Sequence, residues 1–145
     1  MTGRATALLL LLGTILPGPA EARTCLDYRG VAPGEEPPLR AVLPLPGPAA
    51  DVAVLAGHAY LACGADGLRI VELSDPDHPA AVGHLGFNGA DAARIAVLGC
   101  QAFVAMGSSL EVVDITAAYA PVALRRLVVG EAVSDVAAAG ERLVA

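Results

Sequence analysis

The 145-residue chain has no tryptophan, no lysine and only 3% aromatic residues. Without large rings, a core has to be assembled from alanine, valine, leucine and isoleucine. All nine basic residues are arginine, against 15 acidic ones, and no run of like charge occurs. That excludes the basic stripe of a nucleic-acid binder and the acidic tail of a basic-partner protein. The length suits one domain of ordinary size.

What is present begins with an address. Arg4 supplies a positive n-region, residues 5–16 an apolar h-region, and Pro17 opens a c-region ending in Ala20-Glu21-Ala22. Small residues at Ala20 and Ala22 suit cleavage before Arg23, so residues 1–22 read as a signal peptide. The apolar run is shorter than the roughly 20 residues a membrane-spanning helix needs, so no transmembrane segment is expected after signal removal. Arg23 and Thr24 before Cys25 depart from a lipoprotein signal. The expected location is therefore exported: extracellular, cell surface or periplasmic. Residues 23–38 carry Pro33, Pro37, Pro38, Gly30, Gly34 and Glu35-Glu36, have little to bury, and read as a Pro/Gly-rich linker.

The remaining sequence repeats itself. Residues 51–79, DVAVLAGHAYLACGADGLRIVELSDPDHP, align with residues 94–121, RIAVLGCQAFVAMGSSLEVVDITAAYAP, through one single-residue gap. Ala53 matches Ala96, Val54 matches Val97, Tyr60 matches Phe103, Gly64 matches Gly107, Val71 matches Val113 and Pro79 matches Pro121. A third copy starts at DVAAAGERLVA, residues 135–145. The period of about 42 residues fits four-stranded propeller blades and some helical solenoids.

Strand chemistry decides between them. In the first copy, strand A spans residues 51–56, a turn at Gly57-His58 leads to strand B at 59–63, and Gly64-Ala65-Asp66-Gly67 makes a hairpin loop. Strand C spans 68–73, Ser74-Asp75-Pro76-Asp77-His78-Pro79 is turn chemistry, and strand D spans 80–85. Runs such as Arg69-Ile70-Val71-Glu72-Leu73 are β-branched and too short for a useful helix. Strand A is apolar on both faces, which predicts cover on both sides, as between neighbouring blades. The expected fold is therefore all-β, with four-stranded antiparallel propeller blades at 51–85 and 94–128, the start of a third at 133–145, and an incomplete ring. Residues 38–54 match the spacing of 79–97, so residues 39–45 read as an orphan strand D whose partners lie elsewhere. Closing a ring in this way removes exposed sheet edges.

The segments LRIVELSDPDHPAAVG and DVAVLAGHAYLACGADG resemble the LVIVD-repeat family of bacterial exported proteins, and the resemblance covers residues 38–145. In the second copy Thr116-Ala117-Ala118 replaces Ser-Asp-Pro. The resemblance implies a β-propeller-like fold at or outside the cell surface and no known catalytic activity.

Candidate chemistry is sparse. Asp51, Arg94 and Asp135 occupy the first position of three successive strands A, which suggests an ion ladder between blades. Its functional version is a ligand site at the mouth of a central channel, and structural ion pairing is the favoured version. Asp75 and Asp77 lack the ligand series of a calcium loop and read as turn caps. His58, His78 and His84 show no zinc spacing. Gly107-Ser108-Ser109 lacks the flanks of a nucleophile elbow, and Gly86-Phe87-Asn88-Gly89 precedes no amphipathic helix. No catalytic, metal or cofactor residue is expected.

Export permits disulfides, but Cys63 ends strand B while Cys100 falls in the next A–B turn, roughly 17 Å away across a strand. They are not expected to pair. Little more than two and a half blades is expected to leave an open edge, prone to self-association, in a chain that is part of a longer reading frame or that oligomerises. The function expected is an exported, non-catalytic scaffold for a protein or glycan ligand. The alternative is part of a propeller enzyme, of hydrolase or lactonase type, whose site other blades complete.

Overall fold

The computed structural model describes residues 39–139 and 142–144. The expected signal peptide (residues 1–22), the expected linker (residues 23–38) and Cys25 lie outside the described residues. The described chain is all-β and builds two equivalent antiparallel sheets. The first consists of β1 (Asp51–Leu55), β2 (His58–Ala62), β3 (Leu68–Glu72) and β4 (Ala80–Leu85), in that spatial order. The second repeats it with β5 (Arg94–Leu98), β6 (Gln101–Met106), β7 (Ser109–Asp114) and β8 (Val122–Val128). A short hairpin follows, β9 (Ala137–Ala139) paired with β10 (Arg142–Val144).

The turns are where the glycine and aspartate residues place them. Between β1 and β2, Ala56 and Gly57 take φ of 49° and 75°, the left-handed pair that matches strand twist in a two-residue hairpin. Asp75 Oδ1 accepts the Asp77 N–H at 3.0 Å, so the Asp-Pro-Asp stretch is a side-chain-capped turn. In the second copy Asp114 performs the same task, accepting from the Thr116 N–H at 2.8 Å and its hydroxyl at 2.6 Å.

Both sheets carry an irregularity at the same place. The register shifts between Ile70 and Val71 in the first and between Val112 and Val113 in the second. Val82 and Leu124 are the extra residues on the outer strands. One bulge per copy raises the local twist and turns the outer strand relative to the inner three.

The main core lies between the two sheets. Tyr60, Leu68 and Ile70 from the first meet Val104, Met106 and Val113 from the second, all buried. Each large aliphatic side chain fully removed from water here stabilises the fold by about 1.5–3 kcal/mol. A smaller cluster joins Ala96, Ala105 and Leu110 on the other side of the second sheet to Val136, with Val133 and Leu143 packed against it. The inner strands therefore form a row, β1 beside β5 and β5 beside β9. Sheets stacked face to face in sequence order, inner strand beside inner strand, are propeller-like blades. The described strands do not close a ring.

Two details differ from the sequence reading. The ladder in the third copy begins at Ala137 rather than at residue 133, because Val133 donates its N–H to Gly107 O at 2.8 Å and Val136 is buried against the second sheet. Strand β1 is covered on one face only: Val52 and Val54 are 53% and 62% exposed. Residues 39–45, read as an orphan strand with partners elsewhere, pair with no strand of the described chain, and their burial alternates, with Ala41, Leu43 and Leu45 half-buried.

Candidate functional site

Asp51 and Arg94 open β1 and β5, Asp135 lies two residues before β9, and no ion pair joins the three among the described residues. Asp51 bonds to backbone instead. Its Oδ1 accepts from the Val52 N–H at 2.8 Å and its Oδ2 from the Ile95 N–H at 2.9 Å. The second bond crosses from one sheet to the next, so this carboxylate clips adjacent inner strands together. Arg94 Nη1 donates to the carbonyl of Ala93 at 2.8 Å. Asp135 Oδ1 accepts from the Val136 N–H at 2.8 Å, repeating the first half of the Asp51 arrangement. Aspartate suits this place because a short carboxylate reaches the amide of the next residue and still offers a second oxygen.

Beside these strand heads lies an open, mostly apolar pocket of about 680 Å³. Its walls include Pro46 and Pro48 from the segment before β1, Cys63 and Asp66 around the β2–β3 hairpin, and Asp91 and Ala92 before β5. A reciprocal backbone pair between Gly64 and Ala92, at 3.0 and 2.9 Å, joins the hairpin of one sheet to the approach of the next. Asp66 is engaged: Arg69 donates to both its oxygens, and His84 Nε2 donates to its carbonyl at 2.7 Å. The Arg69 bonds hold the Asp66 carboxyl below the usual aspartate range. Burial pushes the Cys63 thiol up, away from the reactive thiolate. Acid–base work needs a free group poised near neutrality. Here the half-buried carboxylate is held ionised and the thiol is held neutral.

Other charged groups stabilise turns and sheets. Arg40 forks onto Asp77, Nε to Oδ1 at 2.8 Å and Nη2 to Oδ2 at 2.6 Å, and this bidentate bond lowers the Asp77 pKa. His78 reaches Asp75 at 2.9 Å within the same turn. Among the described residues, no group of three or more His, Cys, Asp or Glu side chains converges to hold a metal ion. Cys63 is buried, Cys100 is exposed in the turn after β5, and both thiols are free.

The sequence reading missed Glu111. It is a buried charged residue, 6% exposed, inside the second sheet, and Arg126 Nε from the adjacent strand donates to its Oε2 at 2.7 Å. Opposite charges on strands C and D were the available signal. Counting from the connecting loop without the bulge puts Arg125 opposite Glu111, whereas the bulge brings Arg126 there.

A search of curated proteins found no match. The family model for the LVIVD repeat matches residues 46–85 and 89–124, which span the first four-stranded sheet and the second as far as the start of β8. Those matches cover more than half of the chain, and the repeat they define is the structural blade, so the chain belongs to the LVIVD-repeat family.

Proposed function

We propose that this protein is an exported, non-catalytic binding scaffold, a propeller-like array whose loops present a surface to a protein or glycan ligand. The observation that carries the non-catalytic part is the bonding of the strand-head residues. Asp51 spends both oxygens on backbone amides and Arg94 donates to a carbonyl, which is structural employment of the groups an enzyme would aim into a channel. The engaged Asp66 beside the pocket supports the same reading. Export rests on the signal-like sequence of residues 1–22 and the predicted cut before Arg23.

The test has two arms. Expression in a bacterial host, fractionation and N-terminal mass analysis are expected to find the chain outside the cytoplasm and beginning at Arg23; an intact chain retained in the cytoplasm refutes export. Purified protein is then assayed on ester, lactone and phosphoester substrates with and without added divalent metal. Turnover above background that survives Asp51→Asn and disappears on substitution of Asp66 or Asp91 would establish the enzyme alternative, with its site at the pocket.

A further inference from the structure

The two blades share a fold but not every residue, and two of their differences meet at one cleft. On strands C and D of the second blade Glu111 faces Arg126, an ion pair complete in itself. At the matching positions of the first blade Arg69 faces His84, two N–H donors side by side. In the C–D loops, Asp77 of the first blade is matched by Tyr119 of the second, through the alignment of Pro79 with Pro121. Tyr119 is 78% exposed and is, among the described residues, the one aromatic ring standing in solvent. The blade forms with either set of residues, so its fold asks for neither the donor pair nor the ring.

Stacking of the sheets brings these residues together. Strand β4 of the first blade lies over the C–D loop of the second, so closely that a Cβ on Gly83 would stand 2.0 Å from Ala118 O. Arg69, His84 and Tyr119 therefore line a single surface cleft of about 350 Å³, together with Ala81, Val82 and Gly83 of β4. That volume is at the lower end of the roughly 300–1,000 Å³ of small-ligand sites. Arg69 binds Asp66 through Nε and Nη2, which meets its charge and leaves Nη1 to donate elsewhere. His84 gives its Nε2 proton to the Asp66 carbonyl, so Nδ1 of the neutral ring is an acceptor. A turn in which the Ala120 N–H bonds to Ala117 O at 3.0 Å carries Tyr119.

We propose that this cleft binds a neutral saccharide, with one sugar ring stacked on Tyr119 and its hydroxyls bonded by Arg69 and His84. A pyranose has an apolar C–H face, which suits the negative face of a tyrosine ring, and a rim of hydroxyls that both donate and accept. Arg69 Nη1 supplies the donor and His84 Nδ1 the acceptor that such a rim needs. A carboxylate or sulfate on the sugar gains little, because Asp66 already stands against the Arg69 guanidinium. Ala81 and Val82 give no apolar depth in which the side chain of a peptide could anchor. The proposal rests on the scaffold reading and names its ligand class and its site.

The full chain carrying Tyr119→Trp tests this, because the new indole is its sole tryptophan and the exposed position tolerates the change. Titration with neutral tetrasaccharides of β-glucan, chitin and galactan is expected to shift the indole emission saturably with at least one of them. The same sugar is expected to bind the parent chain by calorimetry, Tyr119→Phe to retain it, and Tyr119→Ala to weaken it about tenfold. His84→Ala is expected to weaken it as well, with an unchanged far-ultraviolet dichroism spectrum. No saturable shift with any of the three sugars overturns the proposal, as does binding that Tyr119→Ala leaves unchanged. A displayed peptide captured through Tyr119 while all three sugars fail overturns the glycan ligand and leaves the scaffold reading standing. Cleavage of the bound sugar keeps the site and refutes the non-catalytic scaffold.

Discussion

Glu111 shows how one side chain can tie a sheet together at some risk to it. A carboxylate at 6% exposure depends on the guanidinium of Arg126, which is itself half in solvent. Removing the arginine leaves the charge buried and unpaired, so Arg126→Ala is expected to destabilise by about 1–2 kcal/mol, below the 3–5 of a fully buried pair because water reaches Arg126. Replacing both partners by leucine is expected to cost less than Arg126→Ala alone. Urea unfolding of the three proteins checks this, and equal losses for the single and double variants would refute the pairing account. Asp66 makes a different prediction. Its folded pKa is depressed, so its bonds to Arg69 contribute stability above the unfolded aspartate pKa of about 3.9 and lose it as pH falls through the lower folded value. The unfolding midpoint is expected to fall between pH 4 and pH 2 in the parent and to fall less in Asp66→Asn. An identical acid slope in the two would remove Asp66 from the account.

At the scale of strands, most of the blade could be read from residue types. Gly64-Ala65-Asp66-Gly67 and Ser74-Asp75-Pro76-Asp77 can do little except turn, and the apolar runs between them are the right length for β2, β3 and β4. The bulges were not readable, because an extra valine or leucine in an apolar outer strand alters no composition signal. Their effect is large, since each decides which residues face across the sheet. Asp51 and Arg94 open β1 and β5 while Asp135 lies two residues before β9, and the bonding of the three could not be read, because a side chain's choice between a charged neighbour and a backbone amide is settled by fractions of an ångström. Gly83 is a residue that only the stacking explains. An alanine methyl there would meet backbone, which cannot swing aside, so Gly83→Ala is expected to cost more than the roughly 1 kcal/mol typical of point substitutions. Gly86→Ala, with open space at its Cβ, is the control and is expected to change little. Thermal unfolding that ranks the two equally would mean that the β4 contact with the second sheet is not maintained in solution.

Between the two described blades lie a principal core, the Gly64–Ala92 backbone pair and the Asp51 clip. Tyr60, Leu68 and Ile70 have no buried life without Val104, Met106 and Val113, since each sheet alone would expose the face that carries them. A four-stranded sheet with an open apolar face is a poor independent unit, so the two blades are expected to unfold together. Peptide-resolved hydrogen exchange across a urea series is expected to give coincident midpoints for residues 51–85 and 94–128. Asp51→Ala sharpens the test, because the substitution lies in the first blade while one of the two lost bonds belongs to Ile95 of the second. Removing both acceptor contacts is expected to cost about 1–3 kcal/mol. If the clip couples the blades, both midpoints shift by the same amount. If only residues 51–85 shift, Asp51 caps its own strand and the repeat array behaves as a string of separable sheets, each held to the next by little more than apolar contact.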